Sequence, residues 1–403
     1  MIGVGMTRLT DSRRAGQQAA CRAQAALRSP QPPLWGLIFV AGRHDPHAVL
    51  AGAYDALGPV PLYGGACVGT ITHEELGYSG FEVAVALFAE GYSEPVIVTI
   101  DHLSGNEADA GRRLAEALHA RAEPGDNVLL LYDLVRDGGG VNVGSRLLDA
   151  LHEALGADGR LTLFGGGLLG DFDLATSHIV IEGRALKDRV LAIILPRELD
   201  VELRVMHGCT PVTHFLEITR VDGPRVLELE GRRATDVIAD ILRIDRGRPE
   251  VVLPFSVLLG RKAGDPWAPY DETCYINRLI IGADYEQGSV TLFEADFQPG
   301  DRVQLMVRDH GFMFDSVRTG VGDLLQRTER KPRRLAFYVD CAGRAAVVSA
   351  TEAEEAALVQ SLLPAHLPLM GFYGGREVAP FLGRSRPLDW TGVLAILSER
   401  TPR

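Results

Sequence analysis

Residues 61–70 read PLYGGACVGT, and the purpose of those glycines decides the fold. Two catalytic templates overlap in the stretch. Gly64-x4-Gly69-Thr70 has the spacing of a phosphate-binding loop without its lysine, and Gly65-Ala66-Cys67-Val68-Gly69 has that of a nucleophile elbow with cysteine in place of serine. Both templates require a helix immediately after the loop. Here TITHEELGYSG follows Val68-Gly69, with β-branched residues and then glycine, so neither context is met. What remains is architecture: glycine at the end of a buried strand lets the backbone turn with positive φ or approach something closely, another strand or a ligand.

Working outward, the same pattern recurs three times: apolar strand, amphipathic helix, strand running into paired glycines, apolar strand. The first copy is GLIFVA, a helix carrying Val49, Leu50, Ala53 and Leu57 on one face, PLYGG, and FEVAVALF. The second is NVLLLY, a helix with Leu147, Leu148, Leu151 and Leu155, LTLFGGG, and RVLAIIL. The third is LAFYV, a helix with Leu358, Val359, Leu362 and Leu363, LPLMGFYGG, and GVLAIL. Short continuous apolar runs suit strands buried on both faces, and the i, i+1, i+4 stripes suit helices packed on them. Three βαββ-like modules are therefore expected, in a mixed α/β fold with parallel and antiparallel strands and helices packed on the sheets. Aligning the first two copies by their glycines places Cys67 over Leu168, which argues against a catalytic thiol at that point.

Between the second and third copies the texture alternates, as in SVTLFEADFQPGDRVQLMVR, where Pro299-Gly300 is expected to turn an antiparallel hairpin. A helix carrying Met313, Val317, Val321 and Leu324 then leads into the third module. The weakest continuity lies around Val221–Thr235, so the chain is divided into regions 1–221 and 222–403.

Composition narrows the function. The 403 residues carry a formal net charge of −12 with 46% hydrophobic residues, and the basic residues are scattered, which excludes the cationic footprint of a nucleic-acid binder. The N-terminus lacks the apolar core of a signal peptide and no run approaches the roughly 20 apolar residues of a membrane span, so a cytoplasmic protein with no membrane partner is expected. Five cysteines, Cys21, Cys67, Cys209, Cys274 and Cys341, never form C-x-x-C and read as reduced thiols. His44 and His47 flank Asp45-Pro46, which reads as a turn and the start of a helix, and His207, Cys209 and His214 have no carboxylate or further histidine nearby to complete a set, so neither group reads as a metal site, and no cofactor is expected.

In this order the segments PLYGGACVGTI, LTLFGGGLLGDF, HGCTP, LEITRVDGPRVLELEGRRATDVI, YINRLIIGAD, DCAGR and GFYGGREVAP resemble the FIST domain proteins, with a FIST N-terminal region followed by a FIST C-terminal region, over roughly Leu34 to Ser398. The resemblance implies a sensory or signal-input module that binds a small ligand such as an amino acid. It brings forward Gly64, Gly65, Cys67, Gly165, Gly166 and Asp171 in the first region and Arg278, Cys341, Arg344, Gly371 and Glu377 in the second. Many relatives are joined to histidine kinase, cyclase or chemoreceptor output domains. No segment of this chain reads as an output domain, so the signal is expected to leave through a separate histidine kinase or cyclase.

An amino acid needs a cation for its carboxylate and an anion for its ammonium. Arg344, just after a buried strand, and Glu377, after a glycine pair, supply one of each, unless they pair with each other or with Arg278 as structural ions. Asp171 closes the second glycine loop, either as a ligand group or as a turn residue. If the three glycine corners converge, they line one hollow around the ligand. Two other functions stay open: a thiol-dependent hydrolase or transferase using Cys67 or Cys341, which needs a histidine brought near in space, and a ligand-free scaffold for a signalling partner.

Overall fold

The computed structural model describes residues 1–156, 161–244 and 256–400. Module one runs β1 (Ile2–Thr7), α1 (Ser12–Leu27), β2 (Trp35–Ala41), α2 (Pro46–Leu57), β3 (Leu62–Cys67), the short strands β4 (Gly69–Thr72) and β5 (Leu76–Gly77), and β6 (Val83–Phe88). Module two repeats it: β7 (Val96–Asp101), α3 (Glu107–His119), β8 (Asn127–Asp133), α4 (Gly144–Leu155), β9 (Thr162–Leu168), β10 (Ile179–Ile181), β11 (Arg184–Leu186) and β12 (Arg189–Ile194). The expected βαββ unit is present in both, and each is preceded by a further strand and helix.

Module three starts with β13 (Leu199–Met206) and is interrupted by a mainly β insertion: β14 (Cys209–Pro211), β15 (Leu216–Asp222), β16 (Arg225–Leu229), β17 (Arg232–Arg233), α5 (Ala234–Leu242), β18 (Val257–Lys262), β19 (Tyr275–Asp284), β20 (Ser289–Leu292) and β21 (Arg302–Arg308). It resumes with α6 (His310–Arg327), β22 (Arg333–Cys341), α7 (Ala346–Ser349), α8 (Glu355–Leu362), β23 (Leu369–Gly374), β24 (Arg376–Phe381), β25 (Arg384–Leu388) and β26 (Gly392–Glu399). The helix expected from Met313 to Leu324 is α6, and Met313, Val317, Val321 and Leu324 are its buried stripe.

Each module builds a sheet in one order, β1-β6-β2-β3, β7-β12-β8-β9 and β13-β26-β22-β23, with a single parallel pair (β2–β3, β8–β9, β22–β23) among antiparallel ones. The sheets are then completed by exchange. The β4–β5 hairpin of module one extends the module-three sheet at β23, β10–β11 of module two extends module one at β3, and β24–β25 of module three extends module two at β9. The result is a cyclic, pseudo-threefold arrangement in which no module has a complete sheet without its neighbour. Strands from both sides of residue 221 share two of these sheets, and Val221 itself lies in β15.

The insertion closes on itself, because β21 pairs with β15 on one side and β18 on the other, giving a ring β21-β15-β16-β20-β19-β18. The expected hairpin across Pro299-Gly300 is corrected here. Both strands exist, but β20 pairs with β16 and β19 while β21 pairs elsewhere. The turn is seated on β15 instead, with Gly300 N–H donating to the Ile218 carbonyl at 2.8 Å. Period-2 alternation marks strands, but the partner is set by barrel closure.

Candidate functional site

The strand registers place the three modules in correspondence residue by residue. Ala41 pairs with Cys67, Asp133 with Leu168 and Cys341 with Gly374 at the ends of the three parallel pairs. Cys67 thus corresponds to Leu168, as the glycine alignment requires, and to Gly374 in the third module. Gly64, Gly165 and Gly371 also correspond. A Cβ on them would lie 2.0 Å from the Ile38 carbonyl oxygen, 2.2 Å from that of Leu130 and 2.4 Å from that of Tyr338, the residues they pair with. At Gly64 and Gly165 φ is +145° and +137°, a conformation that side chains disfavour. Gly65 and Gly166 make room for the incoming hairpins: a Cβ there would meet the His178 carbonyl oxygen at 2.2 Å and the Arg376 carbonyl oxygen at 2.3 Å. These glycines therefore serve strand approach rather than lining a hollow. The space between the modules is filled by Phe39, Phe164, Phe337 and Phe372, with Phe39 stacked on Phe372 at 4.3 Å between ring centres.

Function must then be sought where the parallel strands end, the usual place for ligands on open α/β sheets. Three such ends exist. In module one Arg43 lies 5.4 Å over the Phe81 ring and His44 meets the same ring edge-on at 5.6 Å, so that end is filled.

In module three the end holds the residues singled out from the sequence. Arg344 is fully buried, with Nε 3.2 Å from Asp340 Oδ1 and Nη2 3.2 Å from Glu355 Oε1, and Nη1 donates to the carbonyls of His207 at 3.0 Å and Trp390 at 3.3 Å. Tyr338 donates its hydroxyl to Glu355 at 2.9 Å. Arg344 thus pairs with Asp340 and Glu355, neither of which was singled out. Glu377 accepts the Thr391 hydroxyl at 2.8 Å, and burial pushes its carboxyl up to about 8. Arg278 grips Asp296 with two bonds of 2.8 and 2.7 Å. Trp390 covers the end, with the Arg308 guanidinium 3.7 Å over its ring. Burial first, and the Glu377 charge second, push the Cys341 thiol well up; Cys67 is raised by burial and then by Glu82. Buried protonated thiols are the opposite of an activated nucleophile. His207 spends its ring on the Cys209 N–H, accepted at 2.9 Å, and the Glu272 carbonyl at 2.8 Å.

The module-two end is open. It forms a cleft of about 260 Å³ lined by Asp133, Val135, Arg136, Asp137, Gly138, Gly139, Leu174, Ala175, Ser177 and Lys187. Asp133 is its floor, accepting the Ser177 hydroxyl at 2.6 Å and the Arg189 N–H at 3.1 Å. Burial outweighs these bonds and pushes the Asp133 carboxyl up to about 6. Arg136, Asp137 and Lys187 form the rim, Arg136 standing 4.0 Å from Glu107. Counting three residues past the strand end, Arg136 occupies the place of Arg344 in module three and His44 in module one. Asp171 acts as the turn residue: its carboxylate accepts N–H groups of Asp173 at 3.1 Å and Ala175 at 3.0 Å and the Thr176 hydroxyl. It shapes the loop that supplies Leu174, Ala175 and Ser177 without itself lining the cleft.

Asp133, Arg136 and Lys187 were missed by sequence reasoning. Their signal was present in Asp133-x3-Asp137-Gly138-Gly139-Gly140, an acidic strand end followed by three glycines that all have positive φ, placed where the repeat puts Arg344 in its third copy.

The fold and cleft define a class: a three-module α/β protein with one open strand-end pocket carrying both signs of charge. Sequence comparison gives the family. The FIST N domain matches residues 35–232 and the FIST C domain residues 234–380, and the chain belongs to the FIST family, whose domains are generally sensory modules of signalling proteins. It is similar to an uncharacterized protein of Mycobacterium tuberculosis (strain ATCC 25618 / H37Rv), 23% identical over 398 residues covering 98% of this chain and 99% of the relative. An uncharacterized protein of Mycobacterium bovis is 26% identical over 234 residues, 58% of each chain. Among solved structures, a chorismatase matches with TM-score 0.34 at 10% identity over 93% of this chain and 95% of its own, and a cyanuric acid hydrolase from A. caulinodans with TM-score 0.25 at 16% identity over 48% and 71%. Both likenesses are too distant to bear on function. No helix among the described residues is long and apolar enough to cross a membrane.

Proposed function

We propose that this protein is a cytoplasmic sensory module that binds a small zwitterion, an amino acid or close analogue, in the module-two cleft, without catalysis. The observation that carries the reading is the cleft itself: a buried carboxylate at its floor, Asp133, and two cations at its rim, Arg136 and Lys187, in a volume of about 260 Å³. A ligand ammonium is held by Asp133, with Asp137 beside it, and a ligand carboxylate by Lys187 and Arg136. An amino acid has so few heavy atoms that even efficient contacts, near 1 kcal/mol per atom, reach only about micromolar affinity. The signal passes to a separate histidine kinase or cyclase.

Titration calorimetry of an amino-acid panel tests this. The expected result is a micromolar-range isotherm for at least one amino acid, lost in Asp133→Asn and Lys187→Ala while both variants stay folded. No heat from any of the panel overturns the ligand class. An isotherm unchanged in both variants overturns the site.

A further inference from the structure

A second cleft, of about 430 Å³, opens on the other side of module three between β13, α6 and the β24–β25 turn. We propose that it binds a small carboxylate with an aliphatic body, independently of the module-two cleft. The internal symmetry of the molecule explains both why the cleft exists and what fits it. In module one, Gly3 and Gly5 of β1 let α1 lie against the strand; a Cβ on either would come 2.3 Å from the Ala23 backbone. The registers of β1 with β6 and β13 with β26 put Glu202 and Arg204 at those two positions in module three. At Gly320 of α6 an added Cβ would meet the Met206 side chain at 2.7 Å and the Arg204 stem at 3.1 Å, so side chains stand between strand and helix where α1 meets bare glycines in module one.

The corresponding seam in module one is closed by the chain. Glu75, in the β4–β5 turn, lies 3.3 Å from Arg22 of α1 and 3.7 Å from Arg8, and Arg22 also donates to the Met6 carbonyl at 2.6 Å. Module three keeps cations at its seam, with Arg327 of α6 donating to the Leu203 carbonyl at 3.0 Å and Arg204 beside it. Its hairpin turn, however, offers Phe381 and Leu382 in place of a carboxylate. Asp323 of α6 serves Arg327 at 3.2 Å and reaches Arg204 only at 3.7 Å, and the buried Arg204 Nε has no hydrogen-bond acceptor. A ligand carboxylate pairs with the exposed part of the Arg204 guanidinium, as Glu75 pairs with Arg22 in module one, and a short aliphatic tail covers Leu203, Phe381 and Leu382.

The probe is hexanoate, with hexylamine as the charge control, followed by saturation-transfer NMR on the full chain with thermal unfolding to confirm the fold. Wild type and Asp133→Asn should both bind hexanoate and neither should bind hexylamine. Arg204→Leu should weaken hexanoate about tenfold or more, the loss of one charge-assisted hydrogen bond. Leu382→Glu, which restores a hairpin carboxylate, should block the cleft to the same degree. Absence of hexanoate binding to wild type at about 10 mM, equal binding of hexylamine, or unchanged binding in folded Arg204→Leu overturns the proposal.

Discussion

Replacing Arg344 by alanine separates a ligand-binding arginine from one that holds the fold together. The guanidinium is fully buried and faces Asp340 and Glu355, each also fully buried, and it ties the His207 and Trp390 carbonyls to the strand end. Removing one partner of a buried ion pair costs about 3–5 kcal/mol, because the charge left behind stays out of water. Here the Glu355 carboxylate and two carbonyls lose their donor and Asp340 loses its neighbouring cation, so the upper part of that range applies, a large share of a typical 5–15 kcal/mol total. Asp340 already sits well above the usual carboxylate range, raised by burial and by Glu355, with Arg344 opposing the rise. Without Arg344 its folded-state value climbs further. A carboxyl raised in the folded state contributes stability below its unfolded value and loses it as pH rises, so the Arg344→Ala deficit should grow rather than shrink as pH rises. Urea unfolding followed by fluorescence reads both, since Trp390 lies against the site. Unfolding midpoints within about 1 kcal/mol of wild type, flat with pH, together with lost amino-acid binding, would refute the structural role.

Three other outcomes follow from the same geometry. Asp133 is raised from its ordinary value of 3.8 to about 6, so its penalty is absent near pH 3 and complete above pH 6; Asp133→Asn should be more stable than wild type at pH 7.5 by up to about 3 kcal/mol and equal to it at pH 3.5, measured by urea unfolding at the two values. Gly165→Ala should destabilise by more than about 2 kcal/mol, since its Cβ would come 2.2 Å from the Leu130 carbonyl oxygen at φ +137°; a midpoint equal to wild type would contradict the strand-approach role. Native labelling with a disulfide reagent should modify exposed Cys21 quickly and buried Cys67, Cys209 and Cys341 only on unfolding; rapid labelling of Cys341 would reopen the thiol-enzyme reading.

The family segments, the three strand–helix–glycine copies and the α6 stripe were all readable in the chain, because burial on a sheet or helix face imposes its period on local sequence. The strands that open the modules, and the opening helices α1 and α3, were not. In IGVGMT the glycines that admit α1 weaken the apolar signal, and the polar α1 buries mainly alanines. Hairpin exchange was equally hidden, since β4–β5, β10–β11 and β24–β25 are short and their partners lie in another module.

From its own residues the sequence determined repeat number and the need for glycine at the parallel strand ends, and it placed Arg344 just after a buried strand without its partners. Only the tertiary structure decided which of the three equivalent ends stays hollow. That outcome depends on side chains brought from distant segments, Phe81 over module one, Trp390 and Glu355 over module three, and, among the described residues, nothing of that bulk over Asp133. Local patterning fixes what each strand end can be, whereas the free volume left there is set by whatever the rest of the chain packs against it.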